Sequence, residues 1–281
     1  MAKAIFGLLL SNSSVENFRA WGSALSTQIG AILTRVPQSN DIDWATVASP
    51  ANGTFATGGE IYRFNDSLQA TKPLFLRFEY GTVGSASAVR ATVGKSANGA
   101  GNIGGVILSA TSITSFNANA TITENCYISG GSSWFALSLA PMNTNRGGYF
   151  AIERSTDGTA NAVHIATQVN ATAAQTHRFV DYDNATTETV SAGIVAIPLE
   201  LSADRSIANG TVAPIFPAAC ISPSGVFWRP RVILGTARQN AGLGEVITGL
   251  IDGNSYLSLG AGSQRADQRS GVFAATLIRW D

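Results

Sequence analysis

Charge is what this sequence has least of: only 13% of its 281 residues are Asp, Glu, Lys or Arg, about half the globular average. The 18 basic and 18 acidic residues balance to a net charge of zero, which removes the electrostatic signature of a nucleic-acid binder. A surface built from small polar side chains loses little hydration on contact, and a net charge near zero promotes association. The composition therefore predicts a homo-oligomer without a nucleic-acid partner.

Cysteine and histidine are equally scarce. Cys126 and Cys220 are too few and too far apart for a disulfide framework; we interpret them as two small buried thiols, with a single disulfide left open. His164 and His177 lie in or beside strand patterns, without the additional ligands of an ordinary metal site. We expect both histidines to be surface or half-buried strand residues, and we predict no metal and no cofactor.

Long apolar runs are missing too. No window approaches the ~18 apolar residues of a membrane-spanning helix, so no membrane partner is predicted. Residues 1–10 contain one Lys and then a short apolar run, but no A-x-A cleavage site follows. We therefore do not interpret this segment as a cleaved leader.

Catalytic motifs are weak. Residues 99–104 match G-x-G-x-x-G, but a predicted strand and not a helix follows, so the match indicates a hairpin loop. No G-x-S-x-G nucleophile elbow occurs. Asp181 with Asp183, or Glu153 with Asp157, could form a glycosidase-like carboxylate pair, although acidic residues in strands and turns are usually solvated or form turns. The sequence predicts that the protein is not an enzyme.

One amphipathic helix is predicted over 14–35. Ser13 or Ser14 can cap it, and Glu16 in its first turn opposes the helix dipole favourably. Its apolar face recurs at three- and four-residue steps: Phe18, Trp21, Leu25, Ile29 and Leu33.

The same pattern predicts the end of the helix and its dependence on packing. Arg35 falls in the last turn, and Pro37 ends the helix. Gly22 and Gly30 lower its intrinsic stability. The helix is therefore expected to pack either on its own β domain or on a neighbouring subunit.

Everything after Pro37 is typical of strands and turns. Leu76, Phe78 and Tyr80 alternate with Arg77 and Glu79, so the first three are expected to face one way and the charged pair the other. Strands are predicted at 74–80, 87–95, 106–113, 134–139, 149–154, 162–167, 178–182, 194–197, 227–234, 246–251, 255–259 and 272–280. Stretches 94–105, 117–125 and 202–213 are predicted as loops or long connections.

Many short strands separated by turns favour a mainly β fold: an antiparallel β-sandwich or jelly-roll-like body with one N-terminal α-helix. We divide the chain into 1–37, an N-terminal strand and the amphipathic helix, and 38–281, the sandwich body. Whether that body is one β domain or two is left open.

A block rich in aromatic and charged residues covers 60–80. Charges among aromatics on strands can form hydrogen-bonded pairs that fix register, or can anchor a subunit interface; the alternative is an ordinary strand pair with a polar outer face. Trp134 and Trp228 could also stack on sugar rings, although core or interface roles are favoured. The candidate interface residues are Phe18, Trp21, Leu25, Tyr62, Arg63, Trp134 and Trp228.

Three segments carry a family resemblance. They are Asp-Trp-Ala-Thr-Val at 43–47, the stretch from Gly59 to Gly81 around Tyr-Arg-Phe-Asn-Asp and Phe-Leu-Arg-Phe-Glu-Tyr, and Arg-Ala-Thr-Val-Gly-Lys at 90–95 with Gly-Ala-Gly at 99–101. This pattern resembles a family of tailed-bacteriophage virion proteins encoded among tail genes, most clearly over 15–110 and more loosely at 150–158 and 279–281.

The resemblance implies a structural role in the virion, in the tail or baseplate, with other virion proteins as partners and assembly in the host cytoplasm. It implies no catalytic residues. Two alternatives stay open: a receptor- or glycan-binding module of a tail tip or fibre, which would contact a host-surface glycan, and a capsid decoration protein.

Overall fold

The computed structural model describes residues 2–9, 14–84, 86–117, 123–139, 147–155, 162–169, 176–183, 187–191, 215–217, 220–221, 227–228, 231–236, 244–248, 253–259 and 275–281. Its strands form antiparallel sheets, and one α-helix lies near the N-terminus. The predicted mainly β fold, a sandwich with an N-terminal helix, is confirmed.

Helix α1 spans Val15–Gly30. Its start is as predicted, because the Asn17 amide donates to the Ser14 hydroxyl (3.0 Å) and satisfies one of the unpaired donors of the first turn. The predicted end at 35 is wrong. Residues Thr34–Val36 form strand β2, which carries Arg35 away from the helix axis. Leu33 is still buried, so the apolar spacing continued past the end of the helix and mimicked a longer one.

The N-terminal sheet consists of five antiparallel strands in chain order. Its strands are β2, β3 (Glu60–Arg63), β4 (Phe75–Val83), β5 (Ala86–Ala97) and β6 (Ile103–Asn117). A short 3-10 helix, Ser67–Ala70, precedes β4. The predicted inward set of Leu76, Phe78 and Tyr80 is fully buried. Strands β2 and β3 were not predicted, and β6 begins inside the stretch predicted as a loop.

The 99–104 motif is part of the β5–β6 hairpin, as predicted. Asn98 Oδ1 accepts hydrogen bonds from the amides of Ala100 (2.9 Å) and Asn102 (3.0 Å). Gly99 and Gly101 have φ of 77° and 82°, the left-handed region that glycine adopts without strain. The glycines therefore serve the turn and do not form a phosphate-binding loop.

The central sheet has seven antiparallel strands, in the order β1-β7-β8-β9-β10-β11-β12. Its strands are β1 (Ala2–Leu9), β7 (Thr123–Gly130), β8 (Trp134–Ser138), β9 (Tyr149–Ser155), β10 (Ala162–Gln168), β11 (Thr176–Asp181) and β12 (Thr187–Ser191). Strands β8 to β11 match predicted strands. Strand β7 begins in a stretch predicted as a loop, and β12 was not predicted.

The C-terminal sheet has the order β13-β16-β19-β18-β17, and β14 pairs with β15 in a separate ribbon. These strands are β13 (Ile215–Pro217), β14 (Cys220–Ile221), β15 (Phe227–Trp228), β16 (Ile233–Thr236), β17 (Val246–Ile247), β18 (Tyr256–Ser258) and β19 (Ala275–Arg279). The predicted strand 227–234 covers parts of β15 and β16. The predicted strand 194–197 lies outside the described residues.

Both faces of the central sheet are buried, which makes three layers of β-structure. One face, with Phe135 and Phe150, packs on α1 and the N-terminal sheet through Phe78, whose ring lies 5.8 and 5.9 Å from those two rings. The other face, with Tyr127, packs on the C-terminal sheet through Trp280. Alternate residues of strands β7 to β10 thus belong to different cores.

The segment 1–37 contributes to two layers. Strand β1 pairs with β7 in the central sheet, and β2 pairs with β3 in the N-terminal sheet. Cys126, on β7, is buried and free, as expected; the side chain of Cys220 lies outside the described residues.

Candidate functional site

Most of the candidate interface residues lie inside the protein. Phe18, Trp21, Leu25, Tyr62 and Trp134 are each at most 4% exposed, and their neighbours belong to the same chain. The helix therefore packs on its own β domain, which resolves one alternative left open by the sequence. Arg63 is exposed at the end of β3. Trp228 lies in β15, and its side chain is outside the described residues.

Glu60 forms the most heavily bonded buried polar site. Its carboxylate is fully buried between α1 and the N-terminal sheet and accepts hydrogen bonds from four side chains. Oε1 accepts from Ser26 Oγ (2.7 Å) and Trp44 Nε1 (3.2 Å), and Oε2 accepts from the hydroxyls of Tyr62 (2.9 Å) and Tyr80 (2.6 Å).

An ion pair completes the Glu60 site. The half-exposed guanidinium of Arg35 lies 3.1 Å from Oε1, and 3.4 Å from Asp41. Burial, and next to it the charge of Glu60, raises the pKa of Tyr62; burial, with Tyr62 and Glu60 adding to it, raises the pKa of Tyr80. The two hydroxyls thus remain protonated donors, and the carboxylate is held by partners from the helix, the sheet and the 41–47 segment.

Trp44 reaches Glu60 only because residue 22 is glycine. The Trp44 ring covers the helix so closely that a Cβ at Gly22 would lie 1.9 Å from Cη2. The same ring stands edge-on to Tyr80, with centroids 4.9 Å apart. Gly22, which the sequence indicated only as a weak point of the helix, is a packing position.

A second buried link joins the N-terminal part to the central sheet. Asp66, which follows β3, forms an ion pair with Arg154 of β9 (2.6 Å), and Arg154 also donates to Gln69 Oε1 (3.1 Å). Burial raises the pKa of Asp66 and lowers the pKa of Arg154, in both cases against the effect of the partner's charge.

A third buried carboxylate links the central sheet to the C-terminal sheet. Glu153, one residue before Arg154 and on the opposite face of β9, accepts from the amides of Arg231 (2.7 Å) and Val232 (2.8 Å), directly before β16. Burial raises the pKa of Glu153 to about 7, although the two amide hydrogen bonds and the charge of Arg279 lower it. Glu153 with Asp157 was one candidate carboxylate pair in the sequence; Asp157 lies outside the described residues.

The expectation that the histidines are surface or half-buried residues is wrong. His164 on β10 and His177 on β11 are at most 2% exposed, and their Nε2 and Nδ1 atoms lie 3.0 Å apart. They are diagonal neighbours on one face of the antiparallel pair, since His164 stands opposite Phe179 and His177 opposite Ala166. Burial, with His177 adding to it, lowers the pKa of His164 well below its ordinary value, so the ring stays neutral.

The other candidate carboxylate pair, Asp181 with Asp183, forms a turn, the role that the sequence favoured. The Asp183 amide donates to Asp181 Oδ1 (2.9 Å), and the exposed Asp183 carboxylate binds Lys72 Nζ (2.5 Å). The Tyr182 hydroxyl donates to the Pro73 carbonyl (3.0 Å). This end of β11 therefore fastens the central sheet to the start of β4.

The outer face of the N-terminal sheet carries three arginines. Glu79 binds both Arg77 (3.0 Å) and Arg90 (2.7 Å), and Arg90 Nε reaches its second oxygen (2.8 Å). The Arg90 guanidinium also lies 4.2 Å from the centroid of the Phe55 ring. Arg63 lies on the same face, because it pairs with Phe75, two residues before Arg77.

Metal-binding clusters and membrane-spanning helices are both absent from the described part of the chain. It contains no group of three or more His, Cys, Asp or Glu side chains that could hold a metal ion. Within the described ranges, no helix is long and apolar enough to cross a membrane.

Comparison of the chain with protein-family models, with curated proteins and with solved structures finds no match.

Proposed function

We propose that this protein is a structural subunit of a tailed-phage virion, in the tail or baseplate, which acts through self-assembly and subunit contacts and not through catalysis. The observation that carries the proposal is the use of its buried ionisable groups. Asp66 with Arg154, and Glu153, bond across boundaries between the β layers, and Glu60 bonds α1 to the N-terminal sheet. Buried ionisable groups that bond between parts of a fold stabilise one fixed arrangement of those parts.

The placement of the phage-like segments supports the same role. Residues 43–47 and 59–81 build the Glu60 site and strands β3 and β4, and 90–101 build β5 and the following hairpin. The segments that resemble tail-associated proteins therefore form one continuous unit, the N-terminal sheet with its buried carboxylate. The low charge of the whole chain suits repeated subunit contacts, since little charge is desolvated when such surfaces meet.

The experiment is cryo-electron microscopy of particles from the phage or prophage that encodes the chain, combined with quantitative mass spectrometry of the same particles. We expect a fixed copy number and density for the three-layer fold on the tail. Density on the head would identify a decoration protein instead, and exposure at the tail tip would favour the receptor- or glycan-binding alternative. Absence of the chain from purified particles would refute the proposal.

A further inference from the structure

The three arginines on the outer face of the N-terminal sheet form a diagonal line across neighbouring strands. Arg63 of β3 pairs with Phe75 of β4, two residues from Arg77, and Arg77 pairs with Thr92 of β5, two residues from Arg90. Diagonal neighbours of this kind lie roughly 7–8 Å apart in a sheet, within reach of long side chains. We name Arg63, Arg77 and Arg90 the arginine line.

Among the described residues, one acidic side chain forms ion pairs with the arginine line. Glu79 is 8% exposed and accepts from both Arg77 and Arg90. Arg63, which is exposed at the end of β3, forms no ion pair within the described part of the chain. The line therefore carries three guanidinium groups and one carboxylate, and the N–H donors of the exposed Arg63 are accessible to a partner.

Apolar side chains flank the arginine line. Phe55 lies under Arg90, Phe75 is half-buried beside Arg63, and Val106, on the same row of the sheet, is 51% exposed. Arginine and aromatic residues together are typical of protein–protein interfaces. The fork of a guanidinium also fits a carboxylate better than a point charge does, as the contact between Arg90 and Glu79 shows within this chain.

We propose that the arginine line is the docking surface for a carboxylate-bearing segment of a neighbouring protein subunit, with Asp or Glu side chains binding Arg63 at the exposed end of the line. The inference rests on the proposed function, because the neighbour is a subunit of the same assembly. Excess positive charge on the face selects an acidic partner, and Phe55, Phe75 and Val106 supply apolar contact area around the ion pairs.

Binding by the purified full-length chain tests the surface itself, with poly-L-glutamate as the carboxylate probe and hyaluronate as a carboxylate glycan. We expect wild type to bind poly-L-glutamate with an affinity that falls with salt and at least tenfold in Arg63→Glu. Arg19→Glu, a half-buried arginine on α1 away from the outer face of the sheet, is the matched control and should bind as wild type does. Equal affinity of the two variants, or tighter binding of hyaluronate, would overturn the proposal.

Photo-cross-linking in the particle identifies the occupant. With p-benzoylphenylalanine in place of Phe75, we expect a cross-link to a peptide of a virion protein that contains Asp or Glu residues. A cross-link to a peptide without acidic residues, or none in particles that contain the chain, would contradict the docking surface. If purified particles lack the wild-type chain, the proposed function is refuted, but the docking surface is not. The poly-L-glutamate measurement then tests whether the arginine line binds carboxylates.

Discussion

Around the buried Glu60 carboxylate, protein donors take the place of water. Four neutral donors and one guanidinium surround this carboxylate. Removal of the side chain takes the acceptor from the buried Tyr80 hydroxyl and leaves the Tyr62 hydroxyl with only its long contacts to the Ser26 hydroxyl (3.3 Å) and carbonyl (3.4 Å). Unpaired buried donors cost more than the original hydrogen bonds gained.

We predict that Glu60→Ala lowers the free energy of unfolding by roughly 2–5 kcal/mol, because each buried donor left without its acceptor costs about 1–3 kcal/mol. Urea denaturation followed by tryptophan fluorescence measures it. Glu16→Gln, at an exposed position in the first turn of α1, is the control and should change the value by about 1 kcal/mol at most. A similar loss of unfolding free energy in both variants would contradict the predicted contribution of the Glu60 site.

Glu153 predicts a dependence of stability on pH. Its pKa is raised from the ordinary value of 4.5 to about 7 by burial, so the folded protein binds this proton more tightly than the unfolded chain does. Its contribution is complete below about pH 4.5 and is lost as the pH rises through about 7. The full effect is on the order of 3 kcal/mol.

The measurement is the free energy of unfolding of wild type and Glu153→Gln between pH 5 and 8. Glutamine keeps the shape but does not titrate, so the difference between the two proteins isolates residue 153 from His164, whose lowered pKa acts in the opposite direction below about pH 6.5. Wild type should lose stability relative to the variant as the pH rises. A constant difference across this range would contradict the prediction.

At the scale of the element, α1 offers two glycines with opposite expected effects. Gly22→Ala should destabilise the protein by roughly 1–3 kcal/mol, because the new methyl group would overlap the Trp44 ring. Gly30→Ala should stabilise it by up to about 1 kcal/mol, because its Cβ would meet only Tyr62 Cε1 at 3.9 Å and alanine favours helix. Thermal unfolding of the two variants checks both predictions. Stabilisation by Gly22→Ala would contradict the first prediction, because the Trp44 ring would then move aside without loss of stability.

The limits of sequence reasoning also appear at this scale. The start of α1 was predictable because Ser14 and Glu16 are local signals, whereas its end was not, because β2 exists through pairing with a strand 25 residues or more away. For the block around Tyr62 and Tyr80, hydrogen-bonded charges were one of the alternatives that the sequence left open. The partners Ser26 and Trp44 were not predictable, since neither carries a signal that distinguishes it from a surface polar or a core residue.

The same reasoning applies to the other buried sites. His164 and His177 meet because of a strand register that the sequence alone does not fix. Glu153 is buried because the C-terminal sheet covers that face of β9, a relationship between layers that strand patterns do not contain. Continuous burial of β8 and β10 was visible in the sequence only as apolar strands, not as a sheet covered on both sides.

At the scale of the whole molecule, the ion pair between Asp66 and Arg154 joins two of the three layers. We predict that Asp66→Ala costs roughly 3–5 kcal/mol, because Arg154 is left buried without its partner. The double variant Asp66→Leu with Arg154→Met should recover much of that loss, since no buried charge remains. A double-mutant comparison by urea denaturation measures the coupling, and additive losses would contradict the role of the pair.

The position of β1 sets an order of events during synthesis. Ala2 pairs with Gly130 and Leu9 with Thr123, and the whole N-terminal sheet lies between these partners in the chain. Strands β2 to β6 pair with their immediate successors, so they can assemble as soon as each leaves the ribosome, whereas β1 must wait for β7 and close a long loop. An apolar segment thus stays without its partner while half the protein is made, and that interval is when a chaperone would have most to protect.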